Sequence, residues 1–279
     1  MIKEKKSKLV IAISHALIKP WDEIKIAQEQ TWITNRTIDS QVIFYLSKPS
    51  PVLLRKYDIF VEKYRFSKKY GRFISRLNQL TGNLISHKIP NYMYIEAKEE
   101  LIVDSWSTYQ LFGRRNLALF DWFINSTDGD FLFQTNTSSY LRIENLQEIV
   151  KKYCANDLVY AGAIINPDYT FFPIVSGAGK LLSRKLVLEI LKNKDLLKFN
   201  LEDVALAELV SKLGVNAIEL RRLDLPNLHS IKKYSNQELG EHFHFRCKSD
   251  SNPRIDGQIM RELHLRLSDK SDKSDINLG

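Results

Sequence analysis

The chain has 279 residues, 44% of them apolar, and 41 Lys and Arg against 33 Asp and Glu give a net charge of +8. That length suits one large domain or two small ones, and the basic balance favours an anionic partner without choosing among nucleic acid, a membrane surface and a phosphorylated substrate. Two widely spaced cysteines, Cys154 and Cys247, make neither a disulfide framework nor a zinc site and read as reduced thiols of a cytoplasmic protein.

The first eight residues are basic and are expected to fray. Leu9 to Ser14 reads as a buried strand; the apolar run it opens, to Ile18, is shorter than the ~20 residues a bilayer span needs, and no cleavage pattern follows it. Pro20 then leads into a helix from Trp21 to about Ile33, with Asp22 and Glu23 in its first turn. Val42 to Leu46 is β-branched and aromatic, a second strand closed by Pro49 and Pro51. Lys56 to Leu80 interleaves Lys and Arg with aromatic residues. Leu101 to Val103 is a short strand, Tyr109 to Ile124 a helix, Asp130 to Thr135 a strand, Ile143 to Tyr153 an amphipathic helix and Leu158 to Ile165 a strand. Helices follow at Ser183 to Lys192 and Leu201 to Leu213, and a strand at Ala217 to Leu220. This alternation predicts an α/β fold with a central, mostly parallel sheet flanked by helices. One domain over residues 1–267 is expected, with residues 268–279 (beginning SDKSDKSD) as a disordered polar tail.

Four places hold chemistry-bearing residues. Thr135, Asn136, Thr137, Ser138 and Ser139 follow a strand, where an open α/β sheet binds its ligands; the same run also reads as a turn with a helix cap. Gly177 and Gly179, in FFPIVSGAGKLLS, allow close approach of backbone to a ligand or to a neighbouring strand, and Lys180 does not have the spacing of a Walker phosphate loop. Glu202 and Asp203 precede an apolar-periodic helix, either as acids at a helix start or as a general base. Period-two alternation would put His242, His244, Arg246 and Lys248 on one face of a strand. The two histidines read as metal ligands or as satisfied surface residues, while Arg246 and Lys248 suit a pyrophosphate better.

In order, these pieces resemble the inverting β-1,3-glycosyltransferases, the superfamily of Fringe and the β-1,3-galactosyltransferases, over roughly residues 8 to 220. Gln28 to Trp32 resembles an early helix ending in R-x-T-W. Asp104-Ser105-Trp106 with Arg115 and Trp122 resembles D-S-Y…L-K-T…K-W. Phe131 to Tyr140 with Asn145-Leu146 resembles F-v-l-K-T-D-D-D-T-F-v…N-L. Phe172 to Gly179 with Ser183 resembles Y-P-x-Y-x-S-G-x-G-Y-v-l-S, and Glu202-Asp203-Val204 resembles E-D-V, ahead of a helix and a turn at Gly214.

The resemblance implies a GT-A-type fold, a nucleotide-sugar donor (a UDP-sugar first), and inverting transfer with Asp203 as the base that deprotonates the acceptor hydroxyl. It places Arg115, Thr135, Asn136, Thr137 and Ser138 on the donor side and Ser176, Gly177 and Glu202 on the acceptor side; Arg246 and Lys248, beyond the resembling span, join the donor side by their cationic chemistry. Of the adjacent acids, which point ~100° apart at a helix start, only one is expected to face the pocket.

The departure lies at Asn136, Thr137 and Ser138, where the family has metal-binding aspartates. Neutral oxygens hold a hard divalent cation poorly, so no metal or other cofactor is expected; either the enzyme is metal-independent or the domain is inactive. Without a membrane anchor, the chain resembles a bacterial-type enzyme building a surface polysaccharide on a glycan or lipid-linked acceptor. The basic Lys56–Leu80 stretch then reads as a peripheral contact with the inner membrane face, or as a solvated basic helix; nucleic acid is not the expected partner.

Overall fold

In a computed structural model, which describes residues 7–16, 19–53, 56, 60, 86–106, 111–166, 171–197 and 202–268, the apolar runs become strands of one sheet. These are β1 (Leu9–His15), β2 (Ser40–Lys48), β3 (Tyr92–Ile95), β4 (Glu100–Trp106), β5 (Phe131–Asn136), β7 (Tyr160–Ile165), β8 (Ile174–Ser183) and β9 (Ala217–Glu219). Their order across the sheet is β3-β4-β2-β1-β5-β8-β7-β9. The centre, β4-β2-β1-β5, is parallel throughout; β8 runs antiparallel to β5 and β7, and β3 antiparallel to β4. A second sheet, β10 (Leu223–Asp224), β11 (His244–Arg246) and β6 (Ser139–Leu141), continues from β5 through the turn at Thr137 and Ser138.

Both faces of the large sheet are covered, which is why its central strands read as unbroken apolar runs. Along β1, Leu9, Ile11 and Ile13 enter one core layer while Val10 and Ala12 enter the other. The first layer is closed by helices α1 (Trp21–Gln30), α3 (Ile143–Val150) and α8 (Asp256–Ser268), with the short α6 (Leu228–Ile231) and α7 (Asn236–Glu241). The second is closed by α2 (Phe112–Ser126), α4 (Arg184–Lys192) and α5 (Glu202–Lys212). Phe131, Leu132 and Phe133 of β5 are wholly buried, and each such side chain contributes about 1.5–3 kcal/mol. Local chemistry sets the helix ends: Ser183 caps α4 by accepting the Leu186 N–H, and Gly214, at φ +74°, stops α5 in the left-handed conformation.

The α/β class and the central sheet are those expected from the sequence. The stretch read around Gly177 and Gly179 is part of a ten-residue strand, β8, because it is paired on both sides. Edge strand β3 and helices α6 to α8 had no counterpart in the sequence reading. The alternation at 242–248 is a strand only over His244–Arg246; His242 is the C-cap residue of α7, so the four residues do not share a strand face. Ser268 ends α8, and residues 269–279 of the expected tail lie outside the described residues, as does nearly all of the basic 56–80 stretch.

Candidate active site

β1 and β5 end side by side, with Ser14 in register with Asn136. Because β8 runs the other way, its first half returns along this same edge, with Gly179 opposite Thr135. α5 begins here, its Asp203 bonded to Gly177, and β11 pairs with β6 so that Arg246 is opposite Ser139. The crevice beyond the carboxyl ends of the parallel strands is where open α/β sheets bind ligands.

Lys180 organises the acidic side of this edge. Its side chain is entirely buried, and its Nζ donates to Glu202 Oε1 and, at 3.1 Å, to Asp203 Oδ1. Both acids therefore converge on one cation, and the longer Glu202 side chain compensates for the angular offset along the helix. Glu202 also accepts from Asn116 and, at 3.3 Å, from Gln134 Nε2, which in turn donates to Asn116 Oδ1 (2.7 Å) and Tyr45 (2.6 Å). Asp203 Oδ2 accepts the Gly177 N–H at 2.9 Å. A Cβ at Gly177 would lie 2.4 and 2.7 Å from the Asp203 oxygens, so glycine here makes room for the carboxylate.

Two carboxylates and one ammonium cannot all be ionised in a buried cluster without strain, and the proton affinities separate accordingly. Burial opposes ionisation of Glu202, but Lys180, Asn116 and Arg115 outweigh it and hold this carboxyl below its ordinary range. Burial pushes Asp203 up, and the Glu202 charge adds to the rise, against the opposing pull of Lys180 and the Gly177 N–H. Burial also works against the Lys180 ammonium, yet the two carboxylates raise its pKa, so it stays charged. Asp203 is the more open of the pair, with 33% of its side chain exposed against 19% for Glu202. It is a solvent-reachable carboxylate with raised proton affinity, the properties of a general base.

Arginines organise the other side. Arg222 grips Asp224 through Nε (2.6 Å) and Nη2 (3.2 Å) and donates from Nη1 to Ser176 Oγ at 2.8 Å. Arg246, paired with Asp224 across β10 and β11, has its Nη1 3.7 Å from the same carboxylate. Arg254 donates to Ser138 Oγ at 2.9 Å, grips the wholly buried Asp256 and stacks over Trp21. Burial and the Arg222 and Arg246 charges hold His244 well below its ordinary range, so it is neutral; it bonds Ser139 Oγ at 3.1 Å in the space left by Gly179. The histidine is thus a core residue.

The structure distributes the sequence candidates unevenly. Thr135 and Ser139 both donate to the Ala178 carbonyl, Thr137 is buried, and Asn136 Oδ1 accepts the Ser138 N–H. Arg115 is buried beneath the end of β1, donating to Ser14 Oγ at 2.6 Å and lying over the Tyr45 ring. Lys248 is exposed past the end of β11. From the sequence Lys180 was weighed only as the lysine of a Walker phosphate loop, whose spacing it lacks, and Arg222 and Arg254 were not singled out; a lysine inside an otherwise apolar strand was the one available signal, and the two arginines lie in segments with no motif.

The turn after β5 presents neutral oxygen donors. At positions 136–138 it offers amide and hydroxyl oxygens, two of which already accept from Ser138 N–H and Arg254, and the aspartates of the second sheet and of α8 are held by arginines. Among the described residues no group of three or more His, Cys, Asp or Glu side chains is placed to hold an ion.

The chain matches no protein-family model, and no curated protein matches it. Solved structures that resemble it include a glycosyltransferase involved in the glycosylation of the major capsid of PBCV-1, at 10% identity over 92% of this chain and 99% of that one, with a TM-score of 0.45. Another is the galactosyltransferase LgtC in complex with donor and acceptor sugar analogs, at 8% identity over 94% of this chain and 96% of that one, TM-score 0.40. A third is the mannosyltransferase PcManGT from Pyrobaculum calidifontis in complex with GDP-Man and Mn2+, at 11% identity over 77% of this chain and 55% of that one, TM-score 0.39.

Proposed function

We propose that the chain is a GT-A-type glycosyltransferase that moves a sugar from a nucleotide-sugar donor to a glycan or lipid-linked glycan acceptor by inverting displacement, without a divalent metal. The observation that carries this reading is Asp203: a part-exposed carboxylate of raised proton affinity, fixed by Lys180 and the Gly177 N–H at the ligand-binding edge of the sheet. In the reaction, Asp203 takes the proton of the acceptor hydroxyl as its oxygen attacks the anomeric carbon, and the nucleoside diphosphate leaves on the opposite side. Ser176 and Gly177 flank the base and take the acceptor side. Glu202, ionised against Lys180, holds the base in place. Arg246 and Lys248 stabilise the charge that develops on the leaving group. A UDP-sugar donor and surface-polysaccharide synthesis belong to this reading through the resemblance in the ordered sequence blocks.

The test is sugar transfer or donor hydrolysis measured with a set of nucleotide sugars in EDTA. Asp203→Asn is expected to lower turnover by a factor on the order of 100 to 10,000 while leaving nucleotide affinity nearly unchanged. Binding of nucleotide sugars with no turnover in any condition would instead establish an inactive binding domain. Turnover that disappears in EDTA and returns with Mn2+ would remove the metal-independent part.

A further inference from the structure

We infer that Arg222, Arg246 and Arg254 form a metal-free binding site for a diphosphate group, with Asp224 as the internal counter-ion that the diphosphate displaces. The three side chains reach this edge from separate segments: the start of the small sheet, its middle strand and the loop before α8. Arg222 and Arg246 share one carboxylate, Asp224, and two hydroxyls on the large-sheet side, Ser176 and Ser138, receive Arg222 and Arg254.

The two aspartates of the cluster differ in a way that assigns their roles. Asp256 is wholly buried and is held by the Ser249 N–H as well as by Arg254, so it is a fixed part of the scaffold. Asp224 has 51% of its side chain exposed, sits on a two-residue strand, and faces its second arginine across 3.7 Å, longer than a hydrogen bond. The buried Nε of Arg246 has no hydrogen-bond partner among the described residues. Three arginines against two aspartates leave one positive charge, and displacement of Asp224 into solvent leaves two. Guanidinium groups bind phosphate oxygens in pairs, and charge-assisted bonds of this kind are the strong ones. A diphosphate presents enough oxygens to meet both Arg222 and Arg246 where Asp224 now meets them.

That the diphosphate belongs to a nucleotide sugar rests on the transferase reading; the site itself does not. Titration calorimetry of the full chain in EDTA, with inorganic pyrophosphate and separately with UDP, tests it. Pyrophosphate is expected to bind, and Arg246→Gln to weaken it by about tenfold or more. Arg246→Lys should recover part of the loss, and Asp224→Asn should tighten binding severalfold. Circular dichroism checks that each variant is folded; if Arg246→Gln is not, Asp224→Asn, at an exposed position, decides alone. Absence of pyrophosphate and UDP binding in EDTA, unchanged affinity in a folded Arg246→Gln, or weaker binding in Asp224→Asn would each overturn the inference. Metal-free pyrophosphate binding by a chain that neither binds nor turns over nucleotide sugars would uphold this site and remove the transferase reading. Transfer that proceeds only with Mn2+, with no pyrophosphate bound in EDTA, would do the reverse.

Discussion

Replacing Lys180 by Met tests the buried charge cluster most directly. Met nearly fills the volume, so the change removes the cation and little else. It leaves Glu202 and Asp203 facing each other with no ammonium between them. Removing one partner of a buried ion pair costs about 3–5 kcal/mol. Lys180 is wholly buried, but Asp203 is a third exposed and its share is screened, so the lower end, about 3 kcal/mol, is expected at neutral pH. For a chain of this size that lowers Tm by roughly 5–10 °C.

The pH dependence of that loss has a definite sign. Glu202, held below its ordinary range, stabilises the fold above the unfolded carboxyl value, and this contribution disappears as pH falls through its folded value. Asp203, held above its ordinary range, acts oppositely: the folded state takes up its proton first, and stability falls as pH rises from the ordinary carboxyl value through the raised one. Lys180, raised, contributes its full share at every pH below its unfolded value and loses it only in strong alkali. In Lys180→Met the Glu202 carboxyl loses the cation that holds it down and Asp203 rises further, and protons replace the missing cation as the solution is acidified. The deficit against wild type is therefore largest at neutral pH and shrinks through the carboxyl range. Adding Glu202→Gln to Lys180→Met should restore part of the stability, giving a favourable coupling in a double-mutant cycle. Thermal unfolding of the four proteins between pH 4 and 8 measures all of this. Equal Tm for Lys180→Met and wild type at neutral pH, or a deficit that ignores acidification, would refute the reasoning.

Two glycines make further predictions. Gly177→Ala puts a methyl group against the Asp203 carboxylate, so turnover should fall while nucleotide affinity, measured by calorimetry, stays close to wild type. Gly179→Ala would place its Cβ 2.3 Å from the His244 ring and 2.9 Å from Phe133, an overpacking expected to cost about 1–3 kcal/mol in denaturant unfolding.

Much of the large sheet was legible because its strands are short apolar runs bounded by turn residues, and its helices carry a 3.6-residue period. β8 was less so. Its two glycines and a lysine interrupt the apolar pattern, since each answers a contact from elsewhere: Gly177 to Asp203, Gly179 to His244, Lys180 to the acids of α5. The His242 to Lys248 alternation failed for a related reason. Pairing with β6 and β10 holds only three of its residues extended, and the buried environment neutralises His244. Among the described residues edge strand β3 pairs on one side only, and its part-exposed residues give a weak local signal.

The sequence by itself determined the α/β layering, the strand ends at which polar residues gather, and the neutral character of Asn136, Thr137 and Ser138. Those follow from periodicity and side-chain chemistry, which are local. The tertiary structure alone decided that Lys180 joins Glu202 to Asp203, that Arg222 and Arg246 share the exposed Asp224, and that Arg254 reaches Ser138. Those residues are brought to one edge by an antiparallel strand, a helix start and a small second sheet, and charge interactions fall off within several ångströms. Only a fold that sets the distances decides which charges act on one another.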